Sequence, residues 1–276
     1  VGIKLPPVST EVVEVNWASD VEEDMAAQVH AMMNFTGVNH GNVDQLIRWL
    51  NRHPLPALTR ARQMCIYPQL LHKAVRTMKK KGILPQDLNL ANVATASKIT
   101  AVVNHVTANR RTGKRKLVFS HYRGEIDTLA QQLRDKGMTV QTIDGRTKTR
   151  NKKNRVLPVV SESQFRSVCK RWNHIPSDVF GVINDFLAPE VMIVQIQTAC
   201  EGLNMQHFQE IYFTSPHWNP AVEDQAVARA HRIGQEKPVD VYRFVMTGFG
   251  PRSISFEQYC SHVQDCKREV MKIINN

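Results

Sequence analysis

The stretch Pro216-His217-Trp218-Asn219-Pro220-Ala221-Val222-Glu223-Asp224-Gln225-Ala226-Val227-Ala228-Arg229-Ala230-His231-Arg232-Ile233-Gly234-Gln235 decides how the chain is read. Asn219 has a short side-chain oxygen suited to the free amides of a helix start, and Pro220 brings a pre-set φ to the first helical position. The spacing predicts a helix from Pro220 to Ile233. At about 100° per residue, Gln225, Arg229 and Arg232 fall on one narrow face, with Val222, Ala226, Ala230 and Ile233 on the neighbouring one. One side therefore docks on a sheet while a glutamine and two arginines face outward. An ordinary amphipathic helix with solvated arginines explains such a pattern equally well, so the surrounding sequence has to decide.

Outward from this helix, short apolar runs alternate with helical periods. Leu117-Val118-Phe119 reads as a buried strand, Glu125 to Lys136 as a helix with Ile126, Leu129, Ala130 and Leu133 inward, and Met138 to Ile143 as a strand closed by the Asp144-Gly145 turn. Val191 to Ile196, Glu210 to Phe213 and Val239 to Val245 are further strands. This order implies a parallel sheet with right-handed crossovers. Upstream, Val12 to Val15 reads as an extended strand, and Val21 to Lys81 has a helical period. Within it, Val43, Leu46, Ile47 and Leu50 form a stripe, a helix spans Leu58 to Cys65, and another runs from Gln69 to the Lys79-Lys80-Lys81-Gly82 end. The lysines there read as a helix terminus. Ala94 to Asn109 reads as one more helix, leading into the basic connector Arg110 to Lys116. A closing amphipathic helix carries Phe256, Tyr259, Val263, Cys266 and Val270 on one side.

The formal charge of +11 favours a polyanionic partner, nucleic acid before an acidic membrane surface. No apolar run approaches the roughly 20 residues that cross a bilayer, so no membrane partner is expected. The cysteines Cys65, Cys169, Cys200, Cys260 and Cys266 are odd in number and form no Cys-x-x-Cys pair. Neither a disulfide framework nor a zinc ribbon is indicated, no metal site is expected, and a reducing compartment fits. Cys260, His262 and Cys266 could be imagined as ligands, but the two cysteines lie on different faces of a helix. The opening Val1-Gly2-Ile3, without Met or a signal pattern, suggests a piece of a longer chain.

The segment Gln225 to Gln235 resembles motif VI of superfamily-two helicases in its Swi/Snf form, and Pro216 to Pro220 resembles the turn before it. Gln197-Thr198-Ala199-Cys200-Glu201-Gly202-Leu203-Asn204 resembles motif V, and Leu117-Val118-Phe119-Ser120-His121-Tyr122 resembles motif IV. The Leu58 to Cys65 helix with Tyr67-Pro68 is similar to the family's helical protrusion, although Tyr67 stands where the family usually has His. Ser255 to Ile274 is similar to its bracing helix. The implied fold is α/β: a RecA-like parallel sheet flanked by helices, with an N-terminal helical protrusion and a C-terminal bracing helix. The expected divisions are a lobe junction at 1–20, the protrusion at 21–110, the C-terminal RecA-like lobe at 111–250 and the bracing helix at 251–276. Residues 148–185 have no counterpart and read as an insertion or long loop.

The resemblance implies a motor of two RecA-like lobes with ATP and Mg²⁺ between them, acting on double-stranded DNA without separating its strands. The partner lobe, the N-terminal one of the same protein, carries the phosphate-binding loop. This chain lacks a Gly-x-x-x-x-Gly-Lys-Ser/Thr run, so alone it is expected not to hydrolyse ATP. Arg229 and Arg232 are the expected arginine fingers, with Gln225, Gly202 and Asn204 on the nucleotide side. Ser120, His121 and Thr198 are expected near the DNA backbone. The basic run Arg146, Lys148, Arg150, Lys152, Lys153 and Arg155 is either a solvated loop or a set of phosphate contacts, and family geometry favours contact. Trp218 and Trp172 could stack on bases, with burial beside the motif VI helix the alternative for Trp218. The class implies a nuclear location or a viral replication or transcription site. The competing function is a catalytically silent nucleic-acid-binding or scaffolding module, against which the paired arginines speak.

Overall fold

The computed structural model describes residues 4–31, 55–147, 189–200, 205–250 and 253–275. Its centre is a six-stranded sheet in which every pairing is parallel. The strands are β1 (Val8–Val15), β2 (Lys116–Ser120), β3 (Val140–Ile143), β4 (Val191–Gln195), β5 (Glu210–Phe213) and β6 (Val239–Met246), in the order β1-β6-β5-β2-β4-β3. The helices described are α1 (Asp20–Ala31), α2 (Leu55–Ile66), α3 (His72–Lys80), α4 (Ser97–Ala108), α5 (Arg123–Asp135), α6 (Pro220–Ala230) and α7 (Phe256–Asn275). The expected α/β class, with helices flanking a RecA-like parallel sheet, is what the chain forms.

Alternation along the central strands builds a core on each face. Val118 of β2 joins Ile193 and Tyr212 beneath α2, α4, α5 and α7, whose Ala61, Val102, Leu129 and Tyr259 lie in the same cluster. Leu117 and Phe119 face the other way, with Met192, Val194 and Phe213, toward Ala226 and Ala230 of α6. A third cluster joins Met25 and Val29 of α1, Met64 of α2, and Ala74 and Met78 of α3. That cluster joins the N-terminal helices to one another, while Ala61 of α2 and Val102 of α4, also within the expected 21–110 protrusion, pack in the sheet core.

The observed elements sharpen several expectations. The helix expected from Ala94 begins at Ser97, and the strand expected from Met138 begins at Val140. β1, expected at the lobe junction, pairs with β6 along its whole length, from Val8–Val239 to Val15–Met246. The lysine run ends α3 as expected: Lys81 caps it and Gly82 adopts φ +68°. On α7, Phe256, Tyr259 and Val263 are buried, Cys266 is half-buried, and Val270 is exposed at 44%. The apolar side of that helix is thus covered only in its first half. The stripe Val43 to Leu50, Cys169, Trp172 and the 148–185 block lie outside the described residues.

Candidate functional site

Helix α6 starts as its sequence dictates. The Asn219 side chain accepts the Ala221 amide at 3.1 Å, and Pro220 occupies the first turn. Its end differs from expectation. The helix stops at Ala230, so Arg232 and Ile233 lie beyond it, and Ile233 is 64% exposed rather than docked on the sheet. Two side chains end it. His231 Nε2 lies 2.7 Å from the Pro6 carbonyl, and Gln235 Nε2 donates to the Ala230 carbonyl at 3.2 Å. Gln225 and Arg232 are exposed and Arg229 is half-buried. Neither arginine has an ion-pair partner among the described residues, whereas Arg110, Arg146, Arg243 and Arg268 are each held by a carboxylate.

Below α6, the segment returning from motif V is tied to the one leaving motif VI. The Met205 amide donates to the Arg229 carbonyl at 3.1 Å. Buried Gln235 donates to the carbonyls of Gln206 at 2.9 Å and Phe208 at 3.1 Å, and Gln206 Nε2 in turn donates to the Ile233 carbonyl. Gly234 sits between them at φ +98°, where an added Cβ would lie 2.7 Å from Gln206 Nε2. The carboxamides thus fix the backbone on both sides of Arg232. Gly202 and Asn204, expected on this side, lie outside the described residues.

Ser120 ends β2 and His121 follows it, Thr198 follows the neighbouring strand β4, and all three are buried. Glu125, fully buried at the third position of α5, accepts the amides of His121 at 2.9 Å and Tyr122 at 3.0 Å, and the Thr214 hydroxyl. Burial raises its pKa despite those donors. His121 Nε2 lies 3.1 Å from the Ser215 carbonyl, its ring stacks on His217, and burial with nearby Arg62 holds its pKa well below the ordinary value. Ser120 Oγ, His121 Nδ1 and Ser215 Oγ are buried without hydrogen-bond partners. In this arrangement Ser120, His121 and Thr198 shape the end of the sheet rather than reach solvent.

Arg146, expected among the DNA contacts, is engaged elsewhere. Its guanidinium spans Asp127 at 2.7 and 3.0 Å and Asp144 at 2.9 Å. Those hydrogen bonds raise the arginine's pKa and lower that of Asp144. Two carboxylates around one cation leave no net positive charge there. Arg150, Lys152 and Lys153 lie outside the described residues. Arg123, at the start of α5, is also exposed at this end and has no ion pair among the described residues. An added Cβ on Gly145 would come within 3.0 Å of its guanidinium.

Sequence reasoning passed over Glu223. It lies on the buried side of α6 and accepts the His217 amide at 2.8 Å, Gln264 Nε2 at 2.7 Å and Arg243 Nε at 2.8 Å. A signal was present, because Glu223 follows Pro220 and precedes Ala226 at three-residue spacing on the docking side. Trp218 is half-buried and packs edge-on against Phe256 and Tyr259, with the Arg62 guanidinium 5.9 Å from its ring centre. Among the described residues no group of three His, Cys, Asp or Glu could hold a metal ion. None of the described helices is long and apolar enough to cross a membrane.

The fold is that of a RecA-like lobe, and Arg229 and Arg232, at and just past the end of α6, have no ion-pair partner among the described residues. No family model matches the chain. It is 29% identical over 157 residues to the DNA repair protein RAD5A of Arabidopsis thaliana, covering 57% of this chain and 13% of the relative. It is 26% identical over 152 residues to an Arabidopsis thaliana protein named as SWI/SNF-related, matrix-associated actin-dependent regulator of chromatin subfamily A member 3-like 1, covering 54% and 15%. The crystal structure of the C-terminal part of the Fun30 ATPase domain superposes with a TM-score of 0.59 at 12% identity, covering 95% of this chain and 90% of that one. In fold the chain is similar to the C-terminal part of the Fun30 ATPase domain, and in sequence to parts of these DNA repair and SWI/SNF-related proteins. The aligned parts of the two relatives are 13% and 15% of their lengths.

Proposed function

We propose that this chain is the second motor lobe of an ATP-dependent translocase on double-stranded DNA, working in the nucleus on repair or chromatin substrates. The observation that carries this reading is the pair Arg229 and Arg232, which has no carboxylate partner among the described residues, at the end of a helix whose buried side is anchored by Arg243 and Gln264 on Glu223. Two free guanidiniums suit the oxygens of a transferring phosphoryl group, where negative charge develops. Bound ATP with Mg²⁺ supplies the phosphoanhydride chemistry. The resemblance assigns the metal to the partner lobe, which carries the phosphate-binding loop. Gln225, exposed one turn before Arg229, faces the same side. Without the partner lobe and its phosphate-binding loop, this lobe is expected not to turn over nucleotide.

The test uses the intact protein, first lobe included. Arg232→Ala is expected to lower DNA-stimulated ATP hydrolysis by about 10³-fold or more, the range of arginine fingers in related NTPases, with duplex affinity nearly unchanged. Unaltered turnover would remove the finger assignment. On the DNA side, neutralising Arg150, Lys152 and Lys153 should flatten the salt dependence of duplex binding; an unchanged slope would return that run to solvent.

A further inference from the structure

Helix α3 carries a charged face that the motor reading leaves without a role. Ala74 and Met78 are buried in the protrusion core, with Val75 half-buried beside them. At about 100° per residue, His72, Lys73, Arg76 and Lys80 fall within one arc opposite that buried stripe. All four are exposed. No acidic residue occurs between His72 and Gln86, and Lys73, Arg76 and Lys80 have no ion pair among the described residues. Lys79 differs, since its ammonium donates to the Gln86 carbonyl at 2.7 Å while Gln86 Nε2 donates back to the Lys79 carbonyl at 2.8 Å. One lysine of the terminal run latches the helix end, and the others are left to solvent.

The position of this face matters as much as its charge. The turn Pro68–Leu71 that leads into α3 is held by Gln69 Nε2, which donates to the carbonyls of Leu90 at 3.2 Å and Val93 at 3.3 Å. Leu70 in that turn lies against the first residues of α5: a Cβ on Gly124 would come 3.1 Å from its Cδ2. Helix α3 therefore departs from the end of the sheet where Ser120, His121, Thr198 and Arg123 stand.

We propose that Lys73, Arg76 and Lys80 form a second, sequence-independent contact with the backbone of duplex DNA, extending the track beyond the carboxyl end of the sheet. From Lys73 to Lys80 the helix rises about 10.5 Å, so three long cationic side chains lie in a row along it. A duplex offers one phosphate charge per roughly 1.7 Å of axis, which gives every one of them a partner without a fixed register. The face carries no Phe, Tyr or Trp on which unpaired bases would stack, which favours duplex over single strand. A membrane is a poor partner because the apolar side of α3 is already buried in the protrusion core.

The proposal rests on the DNA reading above, and the experiment separates the two. Affinity of the intact protein for a mixed-sequence duplex is measured against salt for the wild type, for K73Q/R76Q/K80Q, and for the charge-matched control R111Q/K136Q/K237Q, whose exposed residues lie elsewhere. Glutamine keeps helix propensity, and unchanged ATP hydrolysis without DNA reports an intact fold. If the face meets phosphates, the slope of log K against log salt falls by about 2.7 for three lost contacts in the first variant and stays put in the control. An unaltered slope overturns the proposal, and so does an equal fall in the control, which would reflect net charge alone. A variant that keeps its duplex slope but loses binding to polyglutamate also overturns it, assigning the face to an acidic protein. Should the wild type show neither salt-dependent duplex affinity nor DNA-stimulated hydrolysis, the DNA reading itself fails.

Discussion

Gln264 of α7 donates to Glu223 of α6 at 2.7 Å, and the same carboxylate oxygen accepts the His217 amide at 2.8 Å. The closing helix is thereby fastened to the helix that carries Arg229, and to the loop before it. Gln264→Leu keeps the volume but removes the donor. It should cost about 1–3 kcal/mol, the penalty for stranding a buried partner. A lower urea midpoint with an unchanged denaturant slope would report that loss, and an unshifted midpoint would show that water replaces the amide.

The carboxamide of Gln235 holds the loop that carries Arg232. Gln235→Leu strands the carbonyls of Gln206, Phe208 and Ala230. In the intact protein the expected result is a fall in kcat for ATP hydrolysis with little change in KM, because a loosened Arg232 weakens the transition state more than the ground state. A variant that raises KM alone would mean the loop serves binding. Gly234→Ala, at φ +98°, should destabilise the chain by about 1–3 kcal/mol through backbone strain.

Lys98 and Glu257 are both fully buried and meet at 2.5 Å. The ammonium also donates to the Phe244 carbonyl at 2.9 Å, and the carboxylate accepts the Met246 amide at 2.8 Å. Glu257→Leu alone leaves a buried ammonium without its counter-charge and should cost about 3–5 kcal/mol. The double variant Lys98→Met with Glu257→Leu should be more stable than Glu257→Leu alone. A strictly additive double-mutant cycle would show that the two groups do not depend on one another.

His30 is buried between α1 and α2, with Nδ1 2.7 Å from the Ala26 carbonyl and Nε2 3.5 Å from Cys65 Sγ. Burial lowers its pKa to about 4. The unfolded chain therefore takes up a proton on this histidine at a higher pH than the folded one does. Folded stability is lost as pH drops below the unfolded value near 6.5, and the loss levels off around the folded value. Between pH 7 and pH 5 this single group should cost about 2 kcal/mol. Denaturation of wild type and His30→Gln at both pH values isolates it, since other titrating groups cancel in the comparison. Equal losses in the two proteins would place the titration elsewhere.

Much of this molecule is legible in its residues. Glu210 to Phe213 is a strand at the expected bounds, because four consecutive buried positions next to β2 leave no choice of face. The α6 start is written locally in Asn219 and Pro220. Its end is not, because Ala230-His231-Arg232-Ile233 continues a helical period, and a distant partner joins nearby Gln235 in interrupting it. The Pro6 carbonyl that meets His231 lies 225 residues away in sequence. Depth is likewise invisible along the chain: Ser120 and Thr198 look like exposed donors until the sheet closes over them. The engagement of Arg146 could have been anticipated, since Asp144 stands two residues before it, a spacing at which a turn brings the side chains together.

The pairing of β1 with β6 has a consequence for how the chain acquires its structure. Among the described residues, Val8–Val15 pairs with no strand but Val239–Met246. The first strand of this sheet in sequence thus joins through the last, β6, and stays unpaired until β6 is in place. Such long-range closure slows folding and prolongs the exposure of an unmatched edge. Val8 and Val12 stay exposed even in the finished molecule. A pulse of hydrogen exchange during refolding should therefore find the amides of β1 protected after those of β2, β4 and β5.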